Sequence, residues 1–486
     1  MVAGAALLVV FAGAILTLPP TAQVGLLGGS IATAWFFSKP RQALIAVFVG
    51  RILVDLLWFL PFRIAGLNIR EAYGGGVTLL LAALLFLEIK RVDRHPAIAA
   101  FVPYMIAMAI GGLRNLEVRA AAEIIAKYVG PVFILFLMSG FFETRKQREQ
   151  LVRWTLAIFF VPVVLAMFHY ANGQMDTYVR DGYHRLIGAY QHPHNHALML
   201  VIIAAASVWW LMQQQTWRAR VLPGALLLMS SFALYNTYVR TGQLALVVFG
   251  ACYLWLTGRK RTLAAGALAV AVFIAATPAM QDRFKDLILF FVPDSQDTIA
   301  RARLGSGRLS IWTASIGAYL DSSPADIVLG QGIGKHWMLT RGAYNPYQIS
   351  DDLTRDAHSD YLTMTFQVGP VATVAYLIIQ LQVVRYALRV RAAATTRAVR
   401  EFACFVAALM VGATVANIVS NSFINRVTQS WMLWGFSGLV FAEHQQLIRE
   451  GRIRRPQAAL ARMRAALQPA GRGGPGPVGG PPPPPR

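Results

Sequence analysis

DYLTMTFQVGPVATVAYLIIQLQV, residues 360–383, carries one charged residue, Asp360, at its first position. At 1.5 Å per residue, a helix of this length crosses the ~30 Å hydrocarbon core of a bilayer. The apolar positions run on continuously and do not alternate, which reads as a helical span and not a barrel strand. Arg385, Arg389 and Arg391 close the run downstream. Upstream, His358 and Ser359 end a hydrophilic stretch, residues 281–358, which is unlike anything else in the chain.

Working outward, similar runs fill most of the sequence. Spans are expected at 2–18, 22–38, 42–60, 75–89, 97–113, 122–142, 152–170, 196–213, 221–236, 242–258, 262–280, 360–383, 400–418 and 427–446. The fold class is therefore all-α and polytopic, with about 14 transmembrane helices. Span 75–89 is short and lies beside Gly74-Gly75-Gly76, so a re-entrant segment is the alternative there. Composition agrees. Of the 486 residues, 56% are hydrophobic and only 14% charged, and the mean hydropathy is +0.49. A soluble chain carries about 25% charge. The two cysteines, Cys252 and Cys404, fall inside apolar runs and read as small buried hydrophobes, with no disulfide framework or thiolate metal site. The first 38 residues hold no Lys or Arg, so the start reads as mature spans and not as a cleaved leader.

A net charge of +22 invites a nucleic-acid reading, but the placement of the cations excludes it. They stand in short clusters between apolar runs: Lys39/Arg41, Lys90/Arg91/Arg94, Arg145/Lys146/Arg148/Arg153, Arg218/Arg220, Arg259/Lys260/Arg261 and Arg385 to Arg400. These clusters occupy alternate loops, which is the positive-inside pattern. Both termini then face the cytoplasm, and the 281–358 loop and the 171–195 segment face the opposite side. The membrane domain is 1–446. The remainder, 447–486, is a basic tail rich in Gly and Pro, ending in Pro481 to Pro485; this composition builds no core and is expected to be disordered in the cytoplasm.

On the outer side the notable charges are Arg180, Arg185, Arg240, Arg308 and Arg426. Guanidinium keeps its charge at any working pH and presents a planar fork to phosphate oxygens. Arg240 lies in Tyr238-Val239-Arg240-Thr241-Gly242, where the glycine permits close backbone approach. Arg308 follows Gly305-Ser306-Gly307 and opens an amphipathic helix candidate, Leu309 to Ile316, that contains Trp312. A cation at a helix start opposes the dipole unless an anion shares the site. His358 opens the span quoted above, at the water–lipid boundary. A ring with an ordinary pKa of ~6.5 accepts a hydroxyl proton near neutrality, and Asp356 or Asp360 is placed to orient it. Gln191-His192-Pro193-His194-Asn195-His196 has three histidines at alternate positions. Pro193 splays them, and a donor-seating loop is preferred there to a metal site. Trp337, Tyr344 and Tyr347 read as interfacial aromatics.

Together these motifs resemble the bacterial O-antigen ligases and the related O-antigen and exopolysaccharide polymerases. The matching parts are Arg185-x-x-Gly188 with the His-Pro-His-Asn segment, Arg240-Thr241-Gly242, Gly307-Arg308 with Trp312, Gly330-Gln331-Gly332, and His358-Ser359-Asp360-Tyr361-Leu362 with Gly369. Many family members have Asn after the loop histidine; here Ser359 stands there. The resemblance implies a C-type glycosyltransferase fold with a core near 185–370 and one long periplasmic loop, in the bacterial inner membrane. It implies inverting transfer of a glycan from undecaprenyl diphosphate to an acceptor hydroxyl, with no metal or other cofactor. By matched position His358 and Arg308 are the catalytic candidates. Arg240 and Arg308 would hold the diphosphate with Arg185 as helper, and His358 would assist deprotonation of the acceptor; Trp312 and, from their charge and place on the outer side, Arg180 and Arg426 are the further substrate-binding candidates. The expected partners are the lipid-linked oligosaccharide, a glycan or lipid A-core acceptor, the bilayer and a chain-length regulator, with no nucleic acid. Polymerisation of repeat units is the leading expectation, ligation to lipid A-core or a protein the second. A lipid-linked-oligosaccharide flippase is the third; Arg51 and Asp55 are the main intramembrane pair it would need.

Overall fold

The structure, a computed structural model, describes residues 20–57, 63–64, 67–89, 95–114, 118–173, 184–188, 190, 192–277, 281, 308–333, 357–424 and 426–453. Helices dominate these residues. The first are α1 (Pro20–Ser38) and α2 (Pro40–Leu56), then the two-residue antiparallel strands β1 (Arg63–Ile64) and β2 (Leu67–Asn68). α3 (Ile69–Leu87), α4 (Ile98–Leu113), α5 (Val118–Phe141), α6 (Arg145–Ala171), α7 (Pro193–Gln213), α8 (Trp217–Asn236), α9 (Arg240–Leu256) and α10 (Lys260–Ala276) follow. Inside the hydrophilic stretch lie α11 (Arg308–Leu320) and α12 (Pro324–Leu329). The chain then continues as α13 (Asp360–Ala393), α14 (Arg397–Val419) and α15 (Val427–Arg449). A helix thus stands at every expected span after the first, whose residues lie outside those described. Among the described residues four helices are long and apolar enough to cross a membrane: α6, α7, α13 and α14.

Local sequence sets the starts. Pro occupies the first turn of α2, α7 and α12, where its missing N–H is not needed. Thr144 and Gln147 form a reciprocal capping box on α6, and Thr216, Thr396 and Ser359 cap α8, α14 and α13. α15 is buried on every side from Thr428 to His444, as expected of a central helix with no polar face. α5, α7, α13 and α14 pack around it. The outer surface is apolar: Phe86, Leu113 and Leu228 are 75%, 82% and 73% exposed. Patches of that kind are rare on proteins surrounded by water.

Polar contacts gather at the two ends of the bundle. At one end Arg259 and Arg397 both hold Glu401 (2.7 and 2.9 Å), Arg145 and Arg148 hold Glu443, Arg449 holds Glu143 (3.2 Å), and Arg397 bonds the Met212 carbonyl. At the other end Arg114 meets Asp326, and His194 meets Ser420. Arg51 and Asp55 form a 2.9 Å ion pair, and Thr428 bonds both partners: Arg51 Nε donates to its hydroxyl at 3.0 Å, and the hydroxyl donates to Asp55. The pair therefore ties α2 to the first turn of α15. A flippase cavity, by contrast, needs such charges lining a water-filled path.

Candidate functional site: cations gathered at helix N-termini

α13 is broken in its third turn, and the break builds the site's floor. Gly369 adopts φ 83°, ψ 166°, and Pro370 follows. Pro370 has no N–H to give the Phe366 carbonyl, and the Gly369 backbone turns the ladder away from Gln367. Both carbonyls are satisfied from outside the helix. Gln331 N–H donates to Phe366 O at 2.7 Å, and Gly332 N–H to Gln367 O at 3.1 Å. Ile333 N–H completes the seat on Gly111 O of α4 at 3.0 Å. The Gly330-Gln331-Gly332 motif is thus a plug for a helix break. Arg114, just past α4, fastens the same segment: it donates to the carbonyls of Ala325 and Gly330 and pairs with Asp326. The Ser323 hydroxyl, and after it the Arg114 guanidinium, hold the Asp326 carboxyl below the usual carboxylate range.

This plug carries α11, and α11 carries Arg308 as its first residue. Trp312, one turn on, donates its indole N–H to Ala357 O at 2.7 Å. That bond fixes Arg308's helix to the residue before His358. His358 has φ 48°, in the left-handed region that costs a non-glycine residue ~1–2 kcal/mol. Tyr238, φ 54°, is the other such residue among those described, and it turns the chain from α8 into Arg240. Both strained positions therefore adjoin candidate site residues. Ser359 caps α13, accepting from Leu362 N–H and donating to Asn417 O. Asn and Ser are equivalent caps, which accounts for the departure from the family's Asn. Asp360 is engaged with the connector after α14. Its Oδ2 accepts from the amides of Ser422 (2.7 Å) and Ile424 (3.1 Å), gripping the connector that leads to Arg426.

The convergence point is His194, the second residue of α7. Arg426, Arg308, His192 and His358 all lie within electrostatic range of it. Arg426 is the N-cap of α15, Arg308 starts α11, His358 precedes the cap of α13, and His192 is the N-cap of α7. Arg240 is the first residue of α9, and a β carbon at Gly242 would stand 3.2 Å from Ala197 Cβ, so the starts of α9 and α7 touch. Arg185 is brought beside this turn by Leu186 N–H, which donates to Asn236 O at 3.0 Å. Cations and partial positive helix ends thus gather together, an arrangement that favours a polyanion with several oxygens.

The three histidines do not face one another. His192 Nδ1 accepts from His194 N–H, His194 turns to Ser420, and His196 is fully buried against Tyr190. Arg180, Asp356, Trp337, Tyr344 and Tyr347 lie outside the described residues. Reading the sequence singled out neither Arg114 nor the His194–Ser420 pair. Arg114 stands, like Arg240, at a span end on the side opposite the cation clusters, with Arg119 in the same loop.

These features define a multi-pass helical membrane protein with a cation-rich site at one end of the bundle. Residues 224–377 match the family model described as O-antigen ligase, so the chain carries a domain of the O-antigen ligase and polymerase superfamily and is a glycan-transferring membrane enzyme. The matched segment contains Arg240, Arg308, Trp312 and His358 and leaves out Arg185, His194 and Arg426. No curated protein matches the chain.

Proposed function

We propose that the protein transfers a glycan from undecaprenyl diphosphate to an acceptor hydroxyl, with inversion, at the periplasmic face of the bacterial inner membrane. The observation that carries this reading is the gathering of Arg308, Arg426 and His358 about His194, with Arg240 and Arg185 alongside. The acceptor O–H gives its proton to the His358 ring as its oxygen bonds the anomeric carbon. The bond from that carbon to the phosphate oxygen breaks, and the electron pair leaves on the lipid diphosphate. Negative charge grows on the departing group, where fixed guanidinium groups stabilise it; losing one preorganised donor of this kind costs ~2.7–4 kcal/mol. Orientation of two bulky partners adds to this. The positive-inside bias supplies the direction across the membrane.

Polymerisation of repeat units is the first reading of the acceptor, and ligation to lipid A-core the second, favoured by the description of the matching domain. Purified protein given lipid-diphosphate glycan alone, with EDTA present and no nucleotide, is expected to release undecaprenyl diphosphate and lengthen the glycan. Turnover only on addition of lipid A-core moves the reading to a ligase. His358→Ala and Arg308→Ala are expected to abolish transfer at unchanged protein level, and Arg308→Lys to fail as well, since an ammonium lacks the fork. Normal transfer by both alanine variants would remove the site.

A further inference from the structure

We propose that His194, held by Ser420, is a further donor-binding residue of this site, giving the hydrogen on its Nδ1 to a phosphate oxygen of the departing diphosphate. The inference rests on the reading above and deepens it. Of the three neighbouring histidines, His192 is taken up as the α7 cap and His196 is sealed in the core; His194 alone sits half-buried with Arg308 and Arg426 about it. Its Nε2 lies 2.7 Å from Ser420 Oγ. Among the described residues Nδ1 has no hydrogen-bond partner.

The ring's position is built in by the surrounding structure. Ser420 is the C-cap of α14 and begins the connector whose amides at Ser422 and Ile424 are gripped by Asp360. The same connector ends at Arg426. Next to His194, the Asn195 carbonyl accepts from Gln429 Nε2 at 2.8 Å, which locks the start of α7 to the first turn of α15. One piece of backbone therefore places both the Arg426 guanidinium and the imidazole.

The ligand fixes the tautomer. A diphosphate only accepts hydrogen bonds, so the ring atom facing it must be N–H. Ser420 then donates its hydroxyl hydrogen to Nε2, and Nδ1 carries the ring's hydrogen. No proton is transferred through His194; the acceptor's proton still passes to His358. The bond strengthens as charge grows on the departing oxygens, so the residue contributes more in the transition state than in the bound ground state.

The test uses the full chain, a polyprenyl-diphosphate glycan as donor, and separate KM and kcat values for donor and acceptor. An Asn at 194 puts an amide N–H near the place of Nδ1, and a Gln puts one near Nε2. His194→Asn is expected to keep transfer within a few-fold of wild type. His194→Gln and His194→Ala are expected to lower kcat/KM for the donor by about 10- to 100-fold, the range for one hydrogen bond to a charged group, with acceptor KM unchanged. Ser420→Ala is expected to lower the same parameter by a smaller factor. Wild-type donor kinetics in His194→Gln, equal losses in the Asn and Gln variants, or a loss confined to acceptor KM would each overturn the assignment. Arg308→Ala separates the two levels. If it is inactive while every His194 variant is normal, only the His194 role fails; if it too is normal, the diphosphate site itself fails.

Discussion

Replacing Gly330 with alanine should stop transfer without touching any residue that meets substrate. Gly330 has φ 77° and ψ 166°, a backbone region essentially confined to glycine. An added β carbon would stand 2.5 Å from the carbonyl carbon and oxygen of Gln367 and from Val368 N, all of them backbone atoms unable to swing aside. Strain of this type costs ~1–3 kcal/mol. Relieving it means lifting the turn off the α13 break, which loses the bonds from Gln331 N–H (2.7 Å) and Gly332 N–H (3.1 Å). Those are worth ~0.5–1.5 kcal/mol each, so docking through them is worth ~1–3 kcal/mol, about what the strain alone takes away before the backbone clash is counted. The clash tips the balance to the lifted turn, and at ~1.4 kcal/mol per factor of ten one such increment leaves α11, and Arg308 with it, displaced in about nine molecules of ten. The assay is glycan transfer by isolated membranes, normalised to the amount of protein. Gly317→Ala is the control: it lies inside α11 with nothing within 4 Å of an added β carbon, and alanine favours helix by ~1 kcal/mol. Gly330→Ala is expected to fall at least ~10-fold while Gly317→Ala stays at or above wild type. Equal activity of Gly330→Ala and wild type would refute the idea that the plug positions Arg308.

Trp312→Phe keeps the ring but removes the N–H that reaches Ala357 O; a loss of ~0.5–1.5 kcal/mol of positioning should reduce kcat about 2- to 10-fold with protein level intact. Asp326 has its carboxyl pKa depressed by Ser323 and then Arg114, so the Arg114 latch is fully present above the ordinary carboxylate range and is lost as pH falls through the depressed value. Protease accessibility of the 308–333 segment, scanned downward from pH 7, should rise only in acid, and Asp326→Asn should show that rise already at neutral pH. Arg51→Ala leaves Asp55 buried without its ion-pair partner and should cost ~3–5 kcal/mol, read as loss of folded protein in membranes, whereas the joint change Arg51→Met with Asp55→Leu should recover much of it.

The membrane character of the chain follows from the sequence alone, because continuous apolar runs in lipid leave the backbone no choice but the helix. Tertiary contacts join some of the cation clusters to distant acids, Arg259 to Glu401 and Arg145 and Arg148 to Glu443. Arg240, Arg308 and Arg426 were legible as cations on the side opposite the clusters, each at the start of an apolar or amphipathic segment. Tertiary structure alone decided what they share. Arg308 reaches His194 because Gly369-Pro370 breaks α13 and the Gly330–Gly332 turn fills the break, pairing atoms far apart in sequence, and Arg426 because Asp360 grips the connector before it. Local propensity marks Gly and Pro as helix breakers, but which distant N–H satisfies a freed carbonyl depends on packing. For the same reason Gly330-Gln331-Gly332 looked like part of a substrate loop and is a structural plug. His194 could be separated from His192 and His196 only once Ser420 was seen to come from another helix.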